Sequence, residues 1–287
     1  MIGRTSTSGK SACMMVAGLL LLAMPRNAMA HDPVFGLGPH TIYEGGVEIT
    51  PEFDVSQSAS TRGQDLTFLK AAYGINADWT AGIELPWTFK ENVSDQANGL
   101  GDLRLFTKYR FWRKDSPGVQ ESVAALLKVK FDTSKQGANP APTVAKPALG
   151  TGTADVVLGL TYGYESLKWY RWASIRYRRN GHSSGKKVGD KVLVDLVAGW
   201  RPTMPEYLKP DMVWLLELNG EYGRRGSLDN VSLVNDGGTE LFLSPGFMWT
   251  VRNFAVKAGV QLPVFSNLNG VQTKTDYRAK LELEWHL

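Results

Sequence analysis

Cysteine is almost missing from this chain: one residue, Cys13, in 287. It lies in an N-terminal stretch that reads as a secretory signal. Arg4 and Lys10 form a positive front, Cys13 to Met24 an apolar run, and Ala28-Met29-Ala30 a small-x-small cleavage site. A mature chain cut after Ala30 has no cysteine, which excludes disulfides, thiolate catalysis and zinc–thiolate sites. It also suits passage through an oxidising periplasm. Lys10-Ser11-Ala12 is not the apolar run that precedes a lipoprotein cysteine. Long apolar runs are missing as well. The leader's run, about 12 residues, is too short to span as a helix, and no later stretch reaches that length without a charged or strongly polar residue. A helical membrane protein is therefore excluded. Net charge is the third absence. The formal +4 includes Arg4, Lys10 and Arg26, and without them 29 basic residues face 28 acidic ones. Such a balance gives no support for a nucleic-acid partner. There is also no phosphate-binding glycine loop and no energy-coupling box, so any transport is expected to run downhill.

What is present is alternation, clearest at the end of the chain. Tyr277, Ala279, Leu281, Leu283, Trp285 and Leu287 alternate with Arg278, Lys280, Glu282, Glu284 and His286. Period two with an apolar face, aromatic near both margins, describes a strand between lipid and a wet lumen. The pattern runs to the last residue, as closing a barrel requires of its terminal strand. Tyr277, Leu281, Leu283, Trp285 and Leu287 thus read as the signal for the barrel-assembly machinery. The same alternation recurs about twelve times from Thr41 onward, for example Trp79, Ala81, Ile83, Leu85, Trp87 and Phe89 against Thr80, Gly82, Glu84, Thr88 and Lys90. The fold expected is all-β: a transmembrane antiparallel barrel of about 12 strands spanning 41–287, facing outer-membrane lipid, behind a signal at 1–30. Residues 31–40, with two prolines and two glycines, read as a periplasmic or lumen-entering segment. Connections alternate short (76–78, 114–119, 165–168, 252–253) and long (56–64, 91–101, 133–152, 181–190, 223–238, 266–275), which sorts turns to the periplasm and loops to the outside. Only 201–210 is longer than a periplasmic turn should be.

Two stretches carry a resemblance. Gly99-Leu100-Gly101-Asp102-Leu103 leading into Lys108-Tyr109-Arg110-Phe111, and Gly237-Gly238-Thr239 through Ser244-Pro245-Gly246, resemble the outer-membrane transporter family named for a MetA pathway of phenol degradation. The resemblance covers most of the mature chain and implies a channel for small molecules, aromatic compounds among them. One departure concerns assembly: the chain ends in Leu287, where such barrels usually end in Phe.

Inward charges fall into two groups. Arg104, Lys108, Arg110, Lys128, Lys130, Arg176 and Arg178 come from the fourth, fifth and seventh strands; Glu44, Glu48, Glu217, Glu221, Glu282 and Glu284 come from the first, ninth and last. Closure would set a basic arc against an acidic one, giving a transverse field that orients polar solutes. The alternative is that the groups pair and shut the lumen, leaving a structural or adhesive barrel. With inward Tyr170 and Trp172, an open lumen would admit polar aromatics, sugars or small acids. Catalysis has little to stand on, because His182 beside Ser183 and Ser184 lies in an outer loop and no Ser-His-Asn set shares a face. No cofactor is implied. A metal is hinted at only by His31 and His40, more simply read as solvated side chains.

Overall fold

The computed structural model describes residues 31–59, 61–92, 96–134, 149–183, 185–204, 206 and 209–287. The expected signal, with its cleavage site, and most of 133–152 lie outside them. Eighteen strands occur in chain order: β1 (Val47–Ile49), β2 (Glu52–Ser58), β3 (Thr61–Asn76), β4 (Trp79–Asn92), β5 (Gln96–Leu100), β6 (Arg104–Ser116), β7 (Val119–Lys130), β8 (Asp155–Ser166) and β9 (Trp169–Arg179); then β10 (His182–Ser183), β11 (Lys186–Lys187), β12 (Lys191–Trp200), β13 (Asp211–Gly223), β14 (Ser227–Leu228), β15 (Val231–Ser232), β16 (Gly238–Val251), β17 (Phe254–Leu268) and β18 (Thr275–His286). Fourteen form one antiparallel sheet, and pairing of β1 and β2 with both β18 and β3 closes it. Since β1 with β2, and β5 with β6, are successive pieces of single staves, the barrel has twelve.

Both interruptions have local causes. Pro51, which has no N–H to give a ladder, separates β1 from β2. At Gly101–Leu103 the backbone leaves the ladder: Gly101 N–H donates to Pro86 O, and Leu103 N–H to Thr133 Oγ1. The alternation read from the sequence is the alternation of the wall. Between β17 and β18 the outward row pairs Phe254 with Trp285, Val256 with Leu283 and Ala258 with Leu281; the inward row pairs Ala255 with Glu284 and Lys257 with Glu282. Tyr277, Leu281 and Trp285 lie exposed on the outer face, and the rings of Trp285 and Phe254 sit 4.6 Å apart. Closure is completed at the terminus, where Val47 and Leu287 exchange backbone hydrogen bonds of 3.1 and 2.8 Å.

The structure departs from the sequence reading in three places. The stretches expected as long loops at 56–64 and 91–101 are mostly strand, because β2, β3, β4 and β5 continue into them. Beyond the lipid belt both faces of a strand are wet, so the ladder persists while the apolar–polar pattern fades. The loops 181–190 and 223–238 are not structureless either: β10, β11, β14 and β15 join them in a small four-stranded sheet. The first stave begins at Val47 rather than Thr41. Gly45, at φ 76°, turns the chain there, and Tyr43 folds its ring against Gly46, so the spacing of Tyr43, Gly45 and Val47 only mimics a strand. Glu44 consequently sits exposed in that turn and does not line the lumen.

Candidate functional site

Residues 31–43 run inside the barrel. Pro33 and Pro39 prevent this segment from pairing as a strand, so its backbone groups need side-chain partners from the wall. The largest share comes from one carboxylate: Glu217 of β13 accepts N–H bonds from Val34 (2.8 Å), Phe35 (3.2 Å) and Gly36 (2.8 Å). Thr161 donates to Leu37 O at 2.7 Å, Ile42 N–H donates to Thr80 Oγ1 at 2.8 Å, and Tyr43 donates to Leu287 O at 2.5 Å. Lys108 holds the Asp32 carboxylate at 2.5 Å and Gly38 O at 3.1 Å. Small residues make room on the wall: a Cβ on Gly163 would lie 2.6 Å from Pro39.

On the side of β9, β12, β13 and β16 the segment is glued by apolar contact. Val34, Trp172, Val197, Val213, Leu215 and Met248 form a buried cluster inside the barrel, with Phe35 and Tyr170 packed on it. Behind it lies a polar network. Asp195 takes bonds from Ser174 (2.6 Å), Arg176 (2.7 Å) and Asn219 (2.9 Å), and Asn219 accepts from Ser244 and Gln261. Toward the short-turn end, His40 Nε2 meets Glu165 at 2.5 Å and its ring stands edge-on to Trp172. Burial alone would push the His40 pKa down; the Glu165 and Asp32 carboxylates overcome this and hold it up at about 9. Burial likewise opposes ionisation of Asp32, but Lys108 and His40 keep its carboxyl well below the usual range.

The opposite side is charged and roomy. Lys257, 1% exposed, lies 2.5 Å from both Glu282 and Glu284. Lys280 bridges Glu52 (2.7 Å) and Asp54 (3.3 Å), and Lys70 meets Glu52 at 3.2 Å. Between this wall and the segment is a cavity of about 530 Å³. A second space of about 440 Å³ lies nearer the short turns, against Glu165, Tyr170 and Trp172.

The charges named from the sequence are placed as follows. Lys128 (2.6 Å) and Arg104 (3.6 Å) share Glu84, while Lys130 lies between Asp102 (3.1 Å) and Asp155 (2.8 Å). Arg110 pairs with Asp78 in a short turn, and Arg176 with Asp195. Arg178 occupies the inner row of β9 opposite Lys191. Glu221 takes Arg278 at 2.5 Å, Glu48 takes Thr50 at 3.1 Å, and His31 Nδ1 lies 2.6 Å from Glu284. His31 and His40 therefore have different partners and do not form a pair. Nor do the two arcs act as unopposed fields across the lumen. Side chains on neighbouring strands are roughly 5 Å apart, far closer than the opposite wall, so most of the charges meet a near partner. Glu84, Asp195 and Lys257, which complete these pairs, were legible as inward positions but not as members of either arc. Asp32 was marked in the sequence only as a neighbour of His31 and His40, and Glu165 had no signal, because only the path of the segment brings them to the site.

Comparison with known proteins agrees with this architecture. The crystal structure of the COG4313 outer membrane channel from Pseudomonas putida F1 aligns over 87% of this chain and 98% of that one, with a TM-score of 0.69 at 12% identity. The translocator domain of the autotransporter NalP from Neisseria meningitidis covers 86% of this chain and 89% of its own at 12% identity, with a TM-score of 0.42. No curated protein matches. The family model described as "Putative MetA-pathway of phenol degradation" matches residues 32–267, from the inner segment to the penultimate strand, and the chain belongs to that family of outer-membrane-type β-barrels.

Proposed function

We propose that the chain is a passive outer-membrane channel for small polar solutes, with residues 31–43 narrowing its lumen. The observation that supports this most is the cavity of about 530 Å³ left beside the segment, lined by Lys70, Glu84, Arg104, Lys128 and Lys280 among others. A space walled by both signs of charge favours polar, zwitterionic or singly charged solutes over apolar ones. Phe106 on the same wall gives aromatic solutes a face to lie on. The similar structure from Pseudomonas putida F1 is described as a channel, and the family description points toward aromatic degradation. Both support the reading of a conduit for small organic compounds. The extensive pairing of inner charges supports a second reading, a barrel shut by its own segment.

Planar-bilayer recording separates the two. The refolded chain, starting at His31, is expected to give small, stable conductance steps. Weakening the hold on the segment through Glu217→Ala is expected to enlarge them severalfold. A heat-modifiable, folded sample that stays silent, and stays silent as Glu217→Ala, would favour the shut barrel.

A further inference from the structure

His31, Glu284 and His286 meet at one point inside the barrel, and all three are buried. One ligand-capable atom of each lies within 4.8 Å of the others. Glu284 and His286 stand two positions apart on β18 and so project from the same inner face. His31 reaches them on the inner segment from the other end of the sequence. His31 Nδ1 and Glu284 Oε2 are 2.6 Å apart. His286 Nε2, by contrast, is buried without a hydrogen bond; the carboxylate oxygens of Glu48 and Glu284 stand 3.8 and 3.9 Å from it. An unsatisfied buried nitrogen is destabilising, which favours a ligand that would engage it.

The charge around the point selects the sign of that ligand. Among the described residues here, five carboxylates (Glu48, Glu52, Asp54, Glu282 and Glu284) surround three lysines, 70, 257 and 280. Carboxylates outnumber the lysines there, which favours a cation over an anion. Two imidazoles and one carboxylate with room for a further ligand suit a borderline transition ion; calcium and magnesium prefer all-oxygen sets. Lys257 Nζ, 2.5 Å from Glu284 Oε1, holds one carboxylate oxygen and leaves the other turned toward the histidines. That is the orienting role of an outer-shell partner.

We infer that His31, Glu284 and His286 bind one divalent transition-metal ion, zinc or copper, and that this ion latches the inner segment to the terminal strand. The binding site stands on its own geometry, whereas the latch rests on the channel reading above. The test is calorimetric titration of metal-stripped, folded protein with zinc chloride alone. One equivalent is expected to bind, weakened at least about tenfold in His31→Ala and in His286→Gln and unchanged in His182→Ala, which alters the small outer sheet. Absence of stoichiometric binding, or binding retained in both His31→Ala and His286→Gln, overturns the site. If His286→Gln fails to acquire heat-modifiable mobility, His31→Ala decides, since it leaves the wall intact. Bilayer recording then separates latch from channel. Zinc is expected to reduce the conductance of the wild type but not of His31→Ala. Equal steps with zinc and with chelator overturn the latch. Silence under both overturns the channel and leaves the titration to decide the site.

Discussion

The two sides of the lumen are built on different physics. The wall of β9, β12, β13 and β16 is largely dry: it buries Trp172, Val197, Val213, Leu215 and Met248 against Val34 and ties polar side chains into a network around Asp195 and Asn219. The wall of β1 to β4, β17 and β18 is charged and faces the larger cavity. A chain segment can be held firmly only where burial and hydrogen bonds act together. The middle of the inner segment, Val34 to Gly36, is therefore fixed to the dry wall, and the larger share of the space for water and solute remains on the charged one. This asymmetry teaches that a barrel of twelve strands, too wide to be filled by its own wall side chains and narrower than an open porin, acquires a defined path when one side of it is packed.

The largest effect is expected on the dry wall. Trp172 is 3% exposed and donates Nε1–H to Glu165 at 2.7 Å, so Trp172→Ala should cost about 4 kcal/mol in guanidinium unfolding of the folded barrel. A loss below about 1 kcal/mol would mean that the inner cluster is not a core. Glu217→Ala comes next. Removing a buried carboxylate that serves three N–H groups of the segment should cost about 3 kcal/mol in the same assay. A variant as stable as wild type, with unchanged conductance, would show that the segment does not depend on this residue.

A pH effect of smaller size is expected at His40. Burial lowers its pKa, but the Glu165 and Asp32 carboxylates outweigh that and raise it in the folded chain from the ordinary 6.5 to about 9. A raised folded pKa adds stability that is complete below the unfolded value and disappears as pH climbs through the folded one. Thermal unfolding should therefore occur at progressively lower temperature as pH rises from about 6.5 to 9, and His40→Gln should flatten that slope. Parallel profiles for the two proteins would remove His40 from the account. The smallest change in stability belongs to the charged wall, where Lys128 and Arg104 share Glu84 at the cavity edge. Arg104→Gln, which leaves the closer Lys128 on Glu84, should cost on the order of 1 kcal/mol yet move the reversal potential in a salt gradient toward cations. An unmoved reversal potential would place the solute path elsewhere.

Much of the barrel can be traced to local pattern. Trp79 to Phe89 and Tyr277 to Leu287 face lipid at every second residue, and lipid tolerates no ambiguity about which side is apolar, so strand number, alternation and the short turns are written into neighbouring residues. The ends of the strands are written less clearly. At Thr61 to Asp65 and Gln96 to Leu100 the ladder continues where the periodicity of the sequence carries no signal. The inner segment is hidden further still, because Pro33, Gly36, Gly38 and Pro39 describe a chain without regular structure and say nothing about where it lies.

The sequence by itself determined the closed barrel, the identity of its inner and outer rows and the positions of its short turns, because each follows from side chains one or two residues apart. Only the tertiary structure decided which charge meets which. Glu217 beneath Val34 to Gly36, Lys108 at Asp32, and His31 beside Glu284 and His286 are separated by 70 to 250 residues or so along the chain and come together only once β18 has closed on β1 and β2 with the segment inside. Electrostatic partners are chosen by distance in space, and closure of the barrel sets that distance.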